Sequence, residues 1–370
     1  MRKITEKRNK AFRYRIYPNA DESEMLNKTF GCVRFIYNTM LSAKIEYYNE
    51  TGKMLRNTPA QYKDDYPWLK EVDSLALANA QVNLEKAYKA FFKNASTGFP
   101  QYKSKKKSKA SYTTNNLNGS IRIEEGRIKL PKIGFVKIRM HREIPEGYAI
   151  KSATVTREPS GKYYVSVLTE YEAEPVARIL DGENSLGLDY SSPHFYVSSE
   201  GEVADMPHWY RETEKKLARE QRKLSKMVRG GSNYEKQKKK IALLHEKMRN
   251  QRKDWQHKKS SELADRYGII CVEDINMQNM AQGLSLAKST NDNAFGQFRS
   301  MLAYKMQERG GMLITIDKWY PSSKTCRFCG AVNTELTLRD RVWTCKCGKE
   351  LNRDQNAAIN IRNAGLAMLA

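Results

Sequence analysis

Residues 322–361 read SSKTCRFCGAVNTELTLRDRVWTCKCGKELNRDQNAAINI and hold four of the chain's six cysteines. Cys326 and Cys329 form a C-x-x-C pair, and Cys345 and Cys347 a C-x-C pair. Two closely spaced thiolates on a tight turn offer two sulfurs to one tetrahedral ion, and a second such turn completes the shell. Gly330 and Gly348 each follow the second cysteine of a pair, where a permissive backbone lets the chain wrap the sulfur. The intervening AVNTELTLRDRVWT has the length of a hairpin. These features predict a zinc ribbon whose ion is structural, because four thiolates leave no open position for water. Zinc does not explain Asp354, which stands seven residues after the last cysteine at the start of a helical pattern.

Two further acids sit at element ends. Asp189 closes the apolar strand SLGLD, and Glu273 closes GIICVE, with Asp274 beside it. Singly, each acid has a plain reading: Asp189 as a turn former, Glu273 as half of an exposed Glu-Asp pair, Asp354 as a helix N-cap. Together, a strand, a hairpin, a later strand and a final helix gather them at one edge of a mixed sheet. Such a carboxylate cluster suits a hard cation such as magnesium. Two such ions about 4 Å apart activate a water and stabilise the leaving oxygen in phosphodiester hydrolysis. No Gly-rich phosphate loop, Ser-His-Asp set or H-E-x-x-H motif offers a rival chemistry, and the five histidines are scattered.

The bulk composition points to a polyanionic partner. The 370 residues carry 65 Lys+Arg against 42 Asp+Glu, a net charge of +23, with 40% hydrophobic residues to build cores. Residues 215–259 alone hold 17 Lys/Arg and 4 Asp/Glu, a net of +13, on a helical pattern. Each basic side chain that neutralises a phosphate releases a counterion, so an excess of this size favours nucleic acid. No run approaches the roughly 18–20 apolar residues that cross a bilayer, so no membrane partner is expected. The basic N-terminus lacks the apolar core of a secretory signal. A reducing, cytoplasmic and nucleoid-associated setting follows, with metal ligation favoured over disulfides. Cys32 and Cys271 lie alone in apolar patterns and read as buried thiols.

Along the chain, AFRYRIYPN (11–19) alternates as a first strand, and apolar spacing predicts helices from Asp21 to about Tyr48 and from Ser74, as N-cap, to about Asn94. STGFPQYKSKKKSKASY (96–112) is a Gly/Pro break followed by lysines that can track phosphates and aromatics that can stack on bases. Residues 120–170 alternate in short strands with Gly turns, an antiparallel β-domain that the first strand joins if the helices of 21–106 are an insertion. After the linker EAEPVARILDGE come a buried strand, a hairpin turning at Glu200–Gly201, a helical region over 208–267, and the strands GIICVEDI and GGMLITIDKWY.

GLDYSSPHFYV (187–197), VEDINMQNM (272–280), YPSSKTCRFCG (320–330) and NRDQNAAINI (352–361), in this order, resemble the TnpB (OrfB) family of transposon-encoded proteins. GFPQYKSKK (98–106) and the basic stretch 234–260 extend the resemblance over nearly the whole chain. These are RNA-guided DNA endonucleases of prokaryotes, related to type V CRISPR effectors. The resemblance implies an α+β and α/β multidomain chain. Its parts are a β-barrel-like wedge domain (1–20 and 107–180), an inserted helical recognition lobe (21–106), a RuvC-like, ribonuclease H-type nuclease domain (181–318 and 351–370) and a zinc-ribbon insertion (319–350). It implies a catalytic, magnesium-binding triad of Asp189, Glu273 and Asp354, preferring Glu273 over Asp274. The family often carries an acid where this chain has Asn352. The implied partners are a guide RNA and double-stranded target DNA cut beside a short motif, with one protein chain per guide RNA, although the sequence itself leaves one or two open. Three alternatives stand beside this. A guided repressor that does not cut is expected to lack one of the acids, a strand-transfer transposase places its Glu last, and a plain zinc-ribbon binder leaves the acids unexplained.

Overall fold

The computed structural model describes residues 5–94, 96–275, 292–337 and 339–369. Residues 276–280 of VEDINMQNM lie outside them. The chain divides into two compact units, Met1–Glu174 and Pro175–Ala370.

The first unit is built on a seven-stranded antiparallel sheet. Its strands are β1 (Glu6–Tyr17), β2 (Ala110–Asn115), β3 (Arg122–Glu124), β4 (Arg127–Leu130), β5 (Gly134–Arg139), β6 (Ala149–Arg157) and β7 (Tyr163–Ala173), in the order β2-β6-β7-β1-β5-β4-β3. β1 lies between β7 and β5, with Phe12 opposite Val167 and Arg15 opposite Arg139. Two helices, α1 (Ala20–Thr51) and α2 (Ser74–Lys93), occupy the chain between β1 and β2. The period-2 pattern of β1 buries Phe12, Tyr14 and Ile16 in one core with Val165 and Val167 of β7, Ile36 and Met40 of α1, and Leu77 and Leu84 of α2.

Local chemistry sets the helix ends. Asn19 and Glu22 form a reciprocal capping box on α1, and Gly52 ends it in the left-handed region at φ 66°. The cap of α2 is Asp73, not Ser74. The Asp73 carboxylate accepts from the Leu75 amide at 3.0 Å and from the Thr114 hydroxyl of β2, so one side chain caps the helix and ties it to the sheet. The lysine-rich stretch is only partly a solvated loop. Lys103 exchanges two 2.8 Å hydrogen bonds between its backbone and the Asn38 side chain, and its ammonium lies 3.8 Å from the Tyr37 ring centre.

The second unit has a five-stranded sheet in the order β10-β9-β8-β11-β12. β8 (Ser185–Tyr190), β9 (Tyr196–Ser198) and β10 (Val203–Ala204) pair antiparallel, whereas β8, β11 (Ile269–Glu273) and β12 (Met312–Ile316) run parallel. Parallel strands are covered on both faces, which explains their unbroken apolar runs. Ile270 and Val272 enter a core with Leu263 of α4 (Ser232–Arg266) and Phe298 and Leu302 of α5 (Phe295–Glu308). Ile269 and Cys271 face the other way, onto Ile361 of α6 (Arg353–Ala367). The 208–267 region is two helices, α3 (Trp209–Ser225) and α4, divided around Gly230–Gly231. Glu220 fastens them: its carboxylate takes hydrogen bonds from Gln237 at 2.8 Å and pairs with Lys240 at 3.0 Å.

Candidate functional site

Asp189 and Glu273 arrive at the same level of the sheet. β8 and β11 are parallel with Leu188 opposite Val272, so the next residue on each strand is an acid at the carboxyl end. Glu273 is also in register with Ile316, the last residue of β12. The third acid comes from α6, which lies directly on the sheet. A Cβ at Gly187 of β8 would sit 2.0 Å from the Ala358 carbonyl oxygen, and one at Gly365 would sit 2.4 Å from the Cys271 sulfur. Both positions require glycine for this close approach. Helix α6 begins after Asn352, whose side chain accepts from the Gln355 amide at 3.0 Å. Asp354 is therefore not the N-cap; it stands in the first turn. Asn and Asp cap equally well, so an Asn at position 352 keeps the helix start intact.

The electrostatics show that the three acids share one neighbourhood. Burial pushes the Asp189 carboxyl well above its ordinary range, and the nearby charges of Glu273 and Asp354 push it further, against Arg353 and Arg341. Glu273 is raised by burial and lowered by the Ser322 hydroxyl, which donates to its Oε1. Asp354 is held by two arginines: Arg341 Nη1 donates to Oδ2 at 2.8 Å, and Arg353 donates to Oδ1 from Nε at 3.0 Å and from Nη2 at 2.9 Å. Asp274 turns aside to Arg299, 3.3 Å away. Like charges gathered in a half-buried setting, on oxygen donors, fit a hard cation. Among the described residues only the cysteines bring ligand atoms all within 4.8 Å of one another, so the acids are close but not clasped.

The four cysteines are clasped. Cys326 and Cys347 sulfurs lie 3.8 Å apart, and those of Cys329 and Cys345 lie 3.5 Å apart. A tetrahedron with about 2.3 Å metal–sulfur bonds has edges of about 3.8 Å, so the cluster has the dimensions of a zinc site. Burial opposes ionisation of Cys326, yet hydrogen bonds from the Cys329 and Phe328 amides, together with those from the Cys345 and Cys329 thiols, outweigh it and bring the thiol down to about 7. Among its described residues, the segment between the knuckles is not itself a hairpin. Each knuckle is the tip of its own two-stranded turn, one closed by a bridge from Thr325 to Val332, the other by β13 (Val342–Thr344) pairing with β14 (Glu350–Asn352). Gly330 and Gly348 adopt φ 75° and 78°, the left-handed turn that brings each tip around its sulfurs.

The two centres are wired together by residues that sequence reasoning did not single out. Asn356 donates to the Thr325 carbonyl at 2.7 Å and accepts from the Arg327 amide at 3.1 Å. Asn360 donates to the Ser322 carbonyl at 2.8 Å and to that of Thr325 at 2.6 Å. The base of the ribbon thus hangs from α6, and Ser322 hands that order on to Glu273. The visible signal was two asparagines on the otherwise apolar buried face of the helix, where an unpaired amide is costly.

Three family models match the chain: one described as "Probable transposase" of the OrfB_IS605 type over residues 166–283, one as "Cas12f1-like, TNB domain" over 295–361, and one as "Helix-turn-helix domain" over 8–53. Over the last range the structure has β1 followed by the single long helix α1. A protein of Streptomyces pristinaespiralis described as "Putative RNA-guided DNA endonuclease" is 35% identical over 98% of this chain and 90% of its own length. One of Escherichia coli K12 with the corresponding description, InsQ, is 30% identical over 98% and 94%. The Cas12f1 chain in a solved Cas12f1-sgRNA-target DNA complex shares the fold at 15% identity, with a TM-score of 0.61 over 97% of this chain and 99% of that one. On this similarity, which spans almost its full length, the chain belongs to the TnpB (OrfB) family.

Proposed function

We propose that the protein is a divalent-metal-dependent DNA endonuclease directed by a guide RNA, cutting double-stranded target DNA beside a short motif that the protein itself reads. The observation that carries this reading is the meeting of Asp189, Glu273 and Asp354 at the carboxyl edge of one sheet, the latter two close enough to shift the ionisation of Asp189. The strand order, three antiparallel strands followed by two parallel ones, supports a RuvC-like, ribonuclease H-type nuclease domain. The match to relatives described as RNA-guided DNA endonucleases supports the guide RNA and DNA as partners. In this reading the β-sheet of 1–20 and 107–180 is the wedge, 21–106 the recognition lobe, 181–318 with 351–370 the nuclease, and 319–350 the ribbon.

The three carboxylates would hold two magnesium ions, which supply an activated water and stabilise the leaving oxygen. The rest belongs to the chain. Ser322 fixes the orientation of Glu273, Asn360 of α6 holds Ser322, and Arg341 and Arg353 neutralise Asp354. Basic helices α3 and α4 supply charge that grips phosphates without reading sequence.

The test is cleavage of a guide-matched plasmid by the purified ribonucleoprotein with magnesium. Asp189→Ala and Glu273→Ala should each abolish nicking and linearisation while leaving guide and target binding within about 2-fold. Undiminished cleavage by either variant would sink the site, and binding without cleavage by the unsubstituted protein would turn the reading to a guided repressor.

A further inference from the structure

We infer that Asn293 and Arg299, at the start of α5, are positioning residues that set the spacing between Asp189 and Glu273, and with it the affinity of the acids for a divalent cation. This rests on the nuclease reading above and adds the part of the chain that holds the two strand ends. The pairing of β8 with β11 runs from Ser185 opposite Ile269 to Leu188 opposite Val272. Asp189 and Glu273 stand one residue beyond that ladder, so their separation needs a second support.

The chain entering α5 reaches both strands. Asn293 is fully buried just ahead of the helix. Its Nδ2 donates to the Tyr190 hydroxyl and the Ser192 carbonyl, each at 3.2 Å, and to the His194 carbonyl at 3.4 Å. Tyr190 is the residue after Asp189, and its ring packs on Phe295 with centroids 4.9 Å apart. Further along α5, Arg299 donates from Nη1 to the Glu273 carbonyl at 2.9 Å and to Asp274 Oδ1 at 3.3 Å. One segment therefore holds β8 just past its acid and β11 at its acid.

The backbone between these two residues is kept where it does not go by itself. Ala294 has φ 47° and ψ 46°, the left-handed region that disfavours a residue with a Cβ. Such a conformation persists only where the surroundings over-determine it. Gln256 of α4 supplies that constraint: its Nε2 donates to the Asn293 carbonyl at 2.8 Å and to that of Ala294 at 3.3 Å. Lys305 bonds to the Ser260 and Ser261 hydroxyls of α4 at 2.8 and 2.9 Å, which leaves α5 little freedom to slide. Carboxylates that share a cation must be held within about 0.5 Å of their working geometry, and this anchored segment meets that demand.

The experiment uses the full-length, zinc-loaded chain. Manganese is the probe, its free ion counted by electron paramagnetic resonance, and the site is the binding that Asp189→Ala removes. Arg299→Met and Asn293→Leu keep bulk but cannot donate, and each should weaken manganese binding about 10-fold. Arg299→Lys, which still reaches one acceptor, should weaken it less. Ala294→Gly relieves the left-handed backbone and keeps both contacts, so it should raise Tm at parental affinity. Arg299 is 26% exposed, and its variants carry the test should Asn293→Leu not fold. The inference is overturned if the Met and Leu variants, folded by circular dichroism, bind manganese as the parent does, or if affinity across the set merely follows Tm. It falls as well if Asp189→Ala leaves binding intact, since the acids then hold no ion. Failure of the nuclease reading looks different: manganese binding responds as expected, yet the guide-loaded parent cuts no matched DNA.

Discussion

At the scale of single residues, Ser322 shows how a side chain outside the acid cluster can govern it. Its hydroxyl donates to Glu273 and its carbonyl is held by Asn360, so under the proposed function it positions a metal-binding carboxylate. Substituting such a partner costs about 10–100-fold in metal affinity or activity. Ser322→Ala should therefore raise the magnesium concentration for half-maximal cleavage by that factor, with guide binding unchanged; a titration of initial rate against magnesium checks it. Glu220 makes a prediction about pH. Hydrogen bonds from Gln237 and Lys240 bring its carboxyl down to about 2. A depressed carboxylate stabilises the fold fully above its ordinary value and loses that contribution as pH falls toward about 2. Hydrogen exchange in α3 and α4 should accelerate between about pH 4 and 2, and Glu220→Gln should show the looser state already at neutral pH. At this scale the cysteines were legible from spacing alone, because four thiols at knuckle intervals have few other uses. Ser322, Arg341 and Arg353 were not legible, because a Ser or an Arg has many and only the fold says what it faces.

At the scale of elements, helix α6 settles on the sheet through two missing side chains. Gly187→Ala forces a Cβ to within 2.0 Å of the Ala358 carbonyl, a backbone atom that cannot swing away. Overpacking of this kind costs about 1–3 kcal/mol, and for a unit of this size each kcal/mol lowers Tm by about 2–4 °C. Calorimetry should show that drop. Cleavage should fall by more than stability explains, because the displaced helix carries Asp354. Element types followed from periodicity: β1, α1, α2 and the hairpin strands all lie where alternation or helical spacing predicts. Their ends were less legible. Asp73 caps α2 in place of Ser74 because its carboxylate also takes the Thr114 hydroxyl, a partner remote in sequence. Asn352 caps α6 in place of Asp354, which is turned toward Arg341 and Arg353. The ribbon's two hairpins, each around one knuckle, replace the single hairpin between them because the backbone must close around both sulfurs at each tip.

At the scale of the whole molecule, the charge of +23 is concentrated, and residues 215–259 account for more than half of it. Counterion release then makes affinity for nucleic acid fall steeply with salt. Replacing Lys236, Lys239 and Lys247, all exposed on α4, by Ala should reduce the slope of log affinity against log salt by up to about one unit for each phosphate left without its lysine. It should do so equally for unrelated sequences, as filter binding at several salt concentrations can show. An unchanged slope would place the nucleic acid elsewhere. The sequence by itself determined the knuckle spacing of the four cysteines, the charge and the strand and helix types, since each is written in residue type and local spacing. Only the tertiary structure decided that Asp189 and Glu273 stand at one level near the carboxyl ends of neighbouring parallel strands, that α6 lies tight enough on Gly187 to bring Asp354 beside them, and that Asn356 and Asn360 suspend the ribbon from that helix. Those outcomes depend on contacts between residues far apart in the chain, and local periodicity carries no record of them.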